Sequence, residues 1–332
     1  MRDHQRDENY GMINSIIFGC KITSATFLKI FNIMSRAIKT SIFPPTIGSI
    51  AQEIISTGQD GILQGITSRG LFIKTDTHRI IYLTSDPFKG PLTLNLDKKF
   101  SFPKNVSPGT RVYLKPGIII IPRAGLEISF HDSKVWEAAL PTAQILPVYE
   151  QERRLKSLGE QIMGVDKKTG LSWLLPYLFE TPGISPPEDA MKQRQLKSAL
   201  NLRRSFRAGD TAAMAHGLSD FFGRGPGLTP SGDDFVLGVM LSLNRWKDAS
   251  VQRSILKNLK QEVVESAYRL TTTLSANLIQ CAALGLADER LLCALDWIKS
   301  DIPDGGHLVD GLLDWGHSSG VDVFAGFAAL LS

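Results

Sequence analysis

The chain has 332 residues, of which 43% are hydrophobic and 21% charged, with 29 Gly and 17 Pro. That is the composition of a globular protein long enough for two domains, and it excludes a collagenous, disordered or membrane-embedded chain. The formal net charge of +4 suits an anionic metabolite as well as nucleic acid, so charge alone does not choose a partner.

Residues 1–40 read as a poorly ordered N-terminal extension. The apolar stretch from Met12 to Ile38 is broken by Lys21, Lys29 and Arg36, and the acids Asp3, Asp7 and Glu8 before it replace the basic region an export signal requires. Met34 is an alternative start. Cys20, Cys281 and Cys293 are odd in number and lack metal-ligand spacing, which points to a reducing compartment, hence a cytoplasmic protein without a disulfide framework.

Residues 41–145 form the first expected domain. Short alternating runs such as Gly70-Leu71-Phe72-Ile73-Lys74, Arg79-Ile80-Ile81-Tyr82-Leu83 and Gly117-Ile118-Ile119-Ile120-Ile121 are separated by turn signals at Asp86-Pro87, Gly90-Pro91, Pro108-Gly109 and Pro116-Gly117. Period-two patterning at this spacing predicts a small antiparallel β-barrel or sandwich.

Residues 146–332 change to helical periodicity, so the fold class is α+β with an all-α C-terminal domain. Ser185-Pro186-Pro187-Glu188 has the form of a capping box and predicts a helix from that point. That helix carries Lys192, Arg194, Lys197, Arg203, Arg204 and Arg207 with no acid among them, read as a solvated face. Asp210 is expected to cap the next helix, ending at Gly223. No zinc-finger spacing, basic zipper or aromatic-rich basic sheet occurs, and no nucleic-acid partner is expected.

The chemistry concentrates in the helical half. In Gly223-Arg224-Gly225-Pro226-Gly227-Leu228-Thr229-Pro230-Ser231-Gly232-Asp233-Asp234, alternating glycines expose backbone N–H groups and lead into a helix N-terminus, an arrangement suited to an anion. No Lys follows as in a Walker loop, and no strand precedes as in a dinucleotide fingerprint. The C-terminal segment Gly316-His317-Ser318-Ser319-Gly320-Val321-Asp322 repeats part of this. Aligning Ser231 with Ser319 yields Ser-Gly-x-Asp-x-x-x-Gly twice, pairing Gly232 with Gly320, Asp234 with Asp322 and Gly238 with Gly326.

Each Ser can cap its helix while the Asp three residues on reaches back. Each Gly, four residues beyond the Asp on the same face, lets another backbone approach. Two well-capped helices packed through glycines would account for the pattern. Asp233, which a capping box does not need, and His317 beside two hydroxyls favour a binding or catalytic site. Asp233, Asp234 and Asp322 could hold Mg²⁺ together with a phosphate, or the N–H groups of Gly225, Gly227, Ser231, Gly232, Ser319 and Gly320 could take the anion directly. Asp233, Asp234 and His317 are the candidate catalytic residues, with His317 able to move a proton near neutral pH. Thr229, Ser318 and Ser319 add hydroxyls. Thr272 and Ser275, from a Thr271–Asn277 cluster in an otherwise helical pattern, either bond their own helix carbonyls or line the same pocket.

These three segments, in this order and spacing, resemble the DUF2877 family over roughly residues 45–332; the residues before about Lys39 depart from it. That family is similar to the smallest component, AllH, of oxamate carbamoyltransferase. The resemblance implies a subunit working with two larger operon-encoded partners in allantoin and purine breakdown, converting oxalurate and phosphate to oxamate and carbamoyl phosphate. Two other readings stand beside it. One is a Mg-dependent hydrolase, because the Asp-Asp and Ser-Gly-x-Asp helix starts faintly resemble ADP-ribosylglycohydrolases. The other is a non-catalytic metabolite-binding or interaction subunit.

Overall fold

The computed structural model describes residues 40–98, 100–165, 169–246, 253–303 and 306–332. The expected N-terminal extension, with Cys20 and Met34, therefore lies outside the described residues except at its last position.

The strands are β1 (Thr40–Ile42), β2 (Thr46–Gly48), β3 (Asp60–Ile66), β4 (Gly70–Thr75), β5 (Ile80–Thr84), β6 (Thr93–Asn95), β7 (Arg111–Lys115), β8 (Ile118–Ile121), β9 (Leu126–Ser129) and β10 (Lys134–Trp136), with helix α1 (Ser49–Ser56) between β2 and β3. The helices that follow are α2 (Val148–Val165), α3 (Leu175–Leu178), α4 (Ala190–Arg207), α5 (Thr211–Ser219), α6 (Ser231–Asn244), α7 (Arg253–Leu270), α8 (Thr273–Ala283), α9 (Glu289–Lys299), α10 (Leu308–Asp314) and α11 (Ser319–Leu331).

All the strands belong to one sheet, ordered β1-β9-β8-β7-β3-β4-β5-β6-β2-β10 and curled as a half-barrel. The expected antiparallel architecture is corrected here, because β1 and β9, β2 and β10, and β5 and β6 pair in parallel. The curl has a simple cause. From Ile42 to Thr46 the chain reaches at most about 15 Å, yet it joins strands near opposite ends of a sheet that would be about 43 Å wide if flat. The edges must therefore turn toward one another, and Ser133 Oγ donates to Pro44 O while Lys134 N donates to Pro45 O beside that crossing. Burial alternates as predicted along β3 and β7, where Leu63 and Val112 are buried, whereas β5 and β8 bury adjacent residues, Ile80 with Ile81 and Ile119 to Ile121, because both of their faces are covered. Ala51, Ile54 and Ile55 of α1 join this core.

A second core is built around α6 and α11, which are buried on all sides from Ser231 to Leu243 and from Ser319 to Leu330. A helix apolar all round is an interior helix, and the others wrap this pair. The capping box at Ser185 does not form: α4 begins at Ala190, and the Asp189 carboxylate accepts the Lys192 N–H at 2.8 Å. An ionised acceptor at the N-cap serves the free N–H groups and complements the helix dipole, and it displaces the earlier start. Asp210 caps α5 as expected, accepting from Ala213 N, although α5 ends at Ser219, four residues before Gly223. The basic face of α4 is not simply solvated, since Arg194 pairs with Asp220 and Arg203 with Glu152, acids supplied by other segments.

The two cores meet through α8. Buried Asn277 donates to His78 O and accepts from Ile80 N, pinning the β4–β5 turn, while Cys281 packs into the sheet's core. Burial pushes the Cys281 thiol up to about 12, so it acts as a small apolar group. Lys89 N donates to the Glu289 carboxylate and Glu289 N to Lys89 O, a second tie. Among the described residues no helix is long and apolar enough to cross a membrane.

Candidate functional site

The two Ser-Gly-x-Asp copies have the same packing. A Cβ on Gly232 would lie 1.9 Å from Phe221 O and one on Gly320 1.9 Å from Leu312 O, so each helix start is pressed on the end of the segment before it. At the other end of the motif the helices cross each other. A Cβ on Gly238 would meet Val323 O at 2.1 Å, and one on Gly326 would meet Phe235 O at 2.3 Å. The glycine repeat is thus what allows α6 and α11 to touch backbone to backbone.

The expected Ser caps are corrected. Pro230 and Ser318 occupy the N-cap positions, Ser231 and Ser319 are the first helical residues, and neither helix has a side-chain cap. Asp322 instead accepts from Leu171 N at 2.5 Å and from Ser318 Oγ at 2.9 Å. Asp233 accepts from Gly223 N at 2.8 Å and from Thr271 Oγ1, which closes the glycine loop on itself.

Asp234, only 1% exposed, faces the crossing, and its Oδ2 has no hydrogen-bond partner. Burial, and then the neighbouring Asp322 carboxylate, hold its pKa well above the ordinary 3.8, against the pull of the Ser319 and Thr229 hydroxyls. An acid whose folded pKa is raised favours the folded state most when protonated. That contribution is complete below the unfolded pKa of about 4 and is lost as pH rises through the folded value. Asp234→Asn, which cannot ionise, should melt several degrees above the parent on the alkaline side and converge with it toward pH ~4. Parallel melting-temperature curves across pH would rule this out.

The Thr271–Asn277 cluster begins a helix and does not lie inside one. The chain breaks between α7 and α8, where Thr272 is the N-cap and accepts from Ser275 N at 3.1 Å. Thr and Ser favour caps over helix interiors, which explains both the break and the clustering. Thr272 Oγ1 also donates to Leu228 O at 2.7 Å, so this segment braces the glycine loop. Gly225 and Gly227 are exposed and adopt φ of +119° and +100°, a region open to glycine. Several helix-start N–H groups are already engaged: Gly232 with Arg224 O, Asp233 and Asp234 with Pro230 O, and Gly320 with Trp315 O.

Between the sheet and the helical core lies a cavity of about 510 Å³. Of the residues singled out in the sequence it is lined by Thr229, His317 and Ser319, with Thr229 Oγ1 and Ser319 Oγ 3.3 Å apart. Gly225, Gly227, Ser231, Gly232, Asp233, Asp234, Thr272, Ser275, Ser318, Gly320 and Asp322 lie outside its lining. Asp234 lies against the Thr229 and Ser319 hydroxyls with Asp322 nearby. Among the described residues no group of three His, Cys, Asp or Glu is placed to hold a metal ion.

Much of the wall comes from residues whose sequence pattern marked no site. The sheet supplies Thr67, Arg69, Phe72, Tyr82 and Asp86, with the Phe72 and Tyr82 rings stacked at 4.2 Å. The helices supply Asp288, Arg290 and Asp314. Arg290 is nearly buried. It is gripped by both oxygens of Asp288 at 2.8 Å, reaches Asp86 at 3.4 Å and lies over the Phe88 ring at 4.2 Å. Burial opposes its charge, but Asp288, Asp86 and Asp314 more than compensate and raise its pKa. The N-cap spacing of Asp288 ahead of α9 was the only local signal for any of them.

The comparison with known families is decided in this region. Residues 221–331 match the family model of the oxamate carbamoyltransferase subunit AllH. The match bears out the resemblance seen in the motifs, spans the C-terminal third of the chain and contains both Ser-Gly-x-Asp copies, while the whole sheet lies outside it. No curated protein and no solved structure matches this chain.

Proposed function

We propose that this chain is a subunit of an oxamate carbamoyltransferase-type complex and that the cavity between sheet and helices holds the small carbamoyl-bearing substrate. One observation carries the reading. Residues from both matched motifs, Thr229 on one side and His317 and Ser319 on the other, come together in a single cavity of metabolite size.

In the reaction, a phosphate oxygen of oxalurate's co-substrate attacks the carbamoyl carbon, the bond from that carbon to the oxamate nitrogen breaks, and the leaving nitrogen takes a proton. The protein has to hold the reactants together, stabilise negative charge on the carbamoyl oxygen and supply the proton. In this reading the Thr229 and Ser319 hydroxyls turn from Asp234 to donate to that oxygen, and the exposed His317 ring delivers the proton as a general acid. The two larger subunits complete the assembly.

The test is to co-express the chain with the two larger subunits and measure carbamoyl phosphate formed from oxalurate and phosphate. Turnover by the complex and none by the separate chains is the expected result. An intact complex without turnover would remove this assignment, and chelator-sensitive hydrolysis by the isolated chain would replace it with the Mg-dependent hydrolase.

A further inference from the structure

Arg69 stands in the turn before β4 and reaches across the cavity mouth to Asp314, the last residue of α10, 245 positions away. Its two Nη atoms donate to the two carboxylate oxygens at 3.0 and 2.6 Å, the parallel fork with which a guanidinium takes any free carboxylate. Both side chains line the cavity, and they are 47% and 43% exposed.

The charges around the cavity make the pair more informative. Two cations, Arg69 and Arg290, face three acids, Asp86, Asp288 and Asp314. As it stands the cavity has no spare positive charge for an anion. Asp86 and Asp288 are buried, with side chains 8% and 12% exposed, and they are tied to Arg290. Asp314 also bonds Arg290, at 3.3 Å, but it is the most exposed of the three acids, and it ends a seven-residue helix followed by Trp315 and by Gly316 at φ +72°.

We propose that Arg69 selects a ligand bearing a carboxylate next to its amide or carbamoyl group, and that Asp314 is an internal stand-in which the ligand's carboxylate replaces on the Arg69 fork. The exchange is one negative charge for another, so the cavity accepts an anion at no cost in net charge. It also frees the stretch from Asp314 to Ser318, which carries His317, to close on the ligand. This rests on the cavity being the transferase site and adds which end of the substrate the sheet recognises.

The experiment uses the full chain in its complex and three probes: oxamate, the uncharged analogue oxamide, and inorganic phosphate. Arg69→Lys, which keeps the charge and loses the fork, should weaken oxamate about tenfold with oxamide unchanged. Asp314→Asn should tighten oxamate about three- to tenfold by removing the competitor, again without affecting oxamide. The proposal is overturned if Asp314→Asn weakens oxamate or leaves it unchanged, if it tightens phosphate as much as oxamate, or if Arg69→Lys weakens both amides alike, as a purely structural bridge would. Failure of the reaction itself reads differently. A complex that shows this oxamate pattern but does not turn over oxalurate keeps the carboxylate site and loses the transferase assignment.

Discussion

Gly238→Val is expected to melt at least 10 °C below the parent protein, or to fail to fold. Its Cβ would lie 2.1 Å from Val323 O and 3.1 Å from the Gly326 Cα, so the obstruction is backbone on a buried helix with no flexible side chain to swing aside. Overpacking a core costs about 1–3 kcal/mol when side chains can adjust. Here α6 and α11 would have to separate along their length, and the loss should be a large share of the roughly 5–15 kcal/mol that holds a domain together. Gly164→Ala is the control. It lies in α2 with nothing within 4 Å of the added Cβ, and there alanine should be neutral or stabilising by up to about 1 kcal/mol. Thermal melts of the two variants by circular dichroism test the idea. A Gly238→Val protein that melts with the parent would mean that the crossing does not organise the core.

His317→Ala should lower the kcat of the assembled complex by about 100-fold or more with little change in melting temperature, as expected for an exposed proton donor at the cavity edge. Ser319→Ala should also lower kcat, by about 100-fold for the loss of one donor to a developing oxyanion. The shape of the pH profile separates the two roles. Loss of His317 should remove the alkaline limb that a general acid gives the profile, whereas loss of Ser319 should lower the curve without changing its shape. A His317→Ala complex that keeps more than about a third of parental kcat would take the general-acid role away from this residue.

The alternating runs around Leu71, Ile81 and Ile119 identified the strands, because period two follows from the pleat alone. The twin Ser-Gly-x-Asp-x-x-x-Gly motif likewise identified two helices in close approach, because glycine at that spacing has few other uses in buried helices. Caps were less readable. Asp210 was found because it precedes its helix directly, but Ser185 lost to Asp189 because two adequate caps lay within one turn and local pattern does not rank them.

Alternation does not encode whether neighbouring strands run parallel, so β1, β2, β9 and β10 were placed by chain connection and sheet closure. The candidate site divides in the same way. Thr229, His317 and Ser319 were visible as motif members, since glycine, hydroxyl and imidazole groups cluster within a dozen residues of each helix start. Arg69, Asp86, Arg290 and Asp314 were not. A charged residue in a turn or at a helix end looks the same whether it faces water or a partner more than two hundred residues away, and only the docking of the sheet on α8, α9 and α10 brings those charges to one cavity.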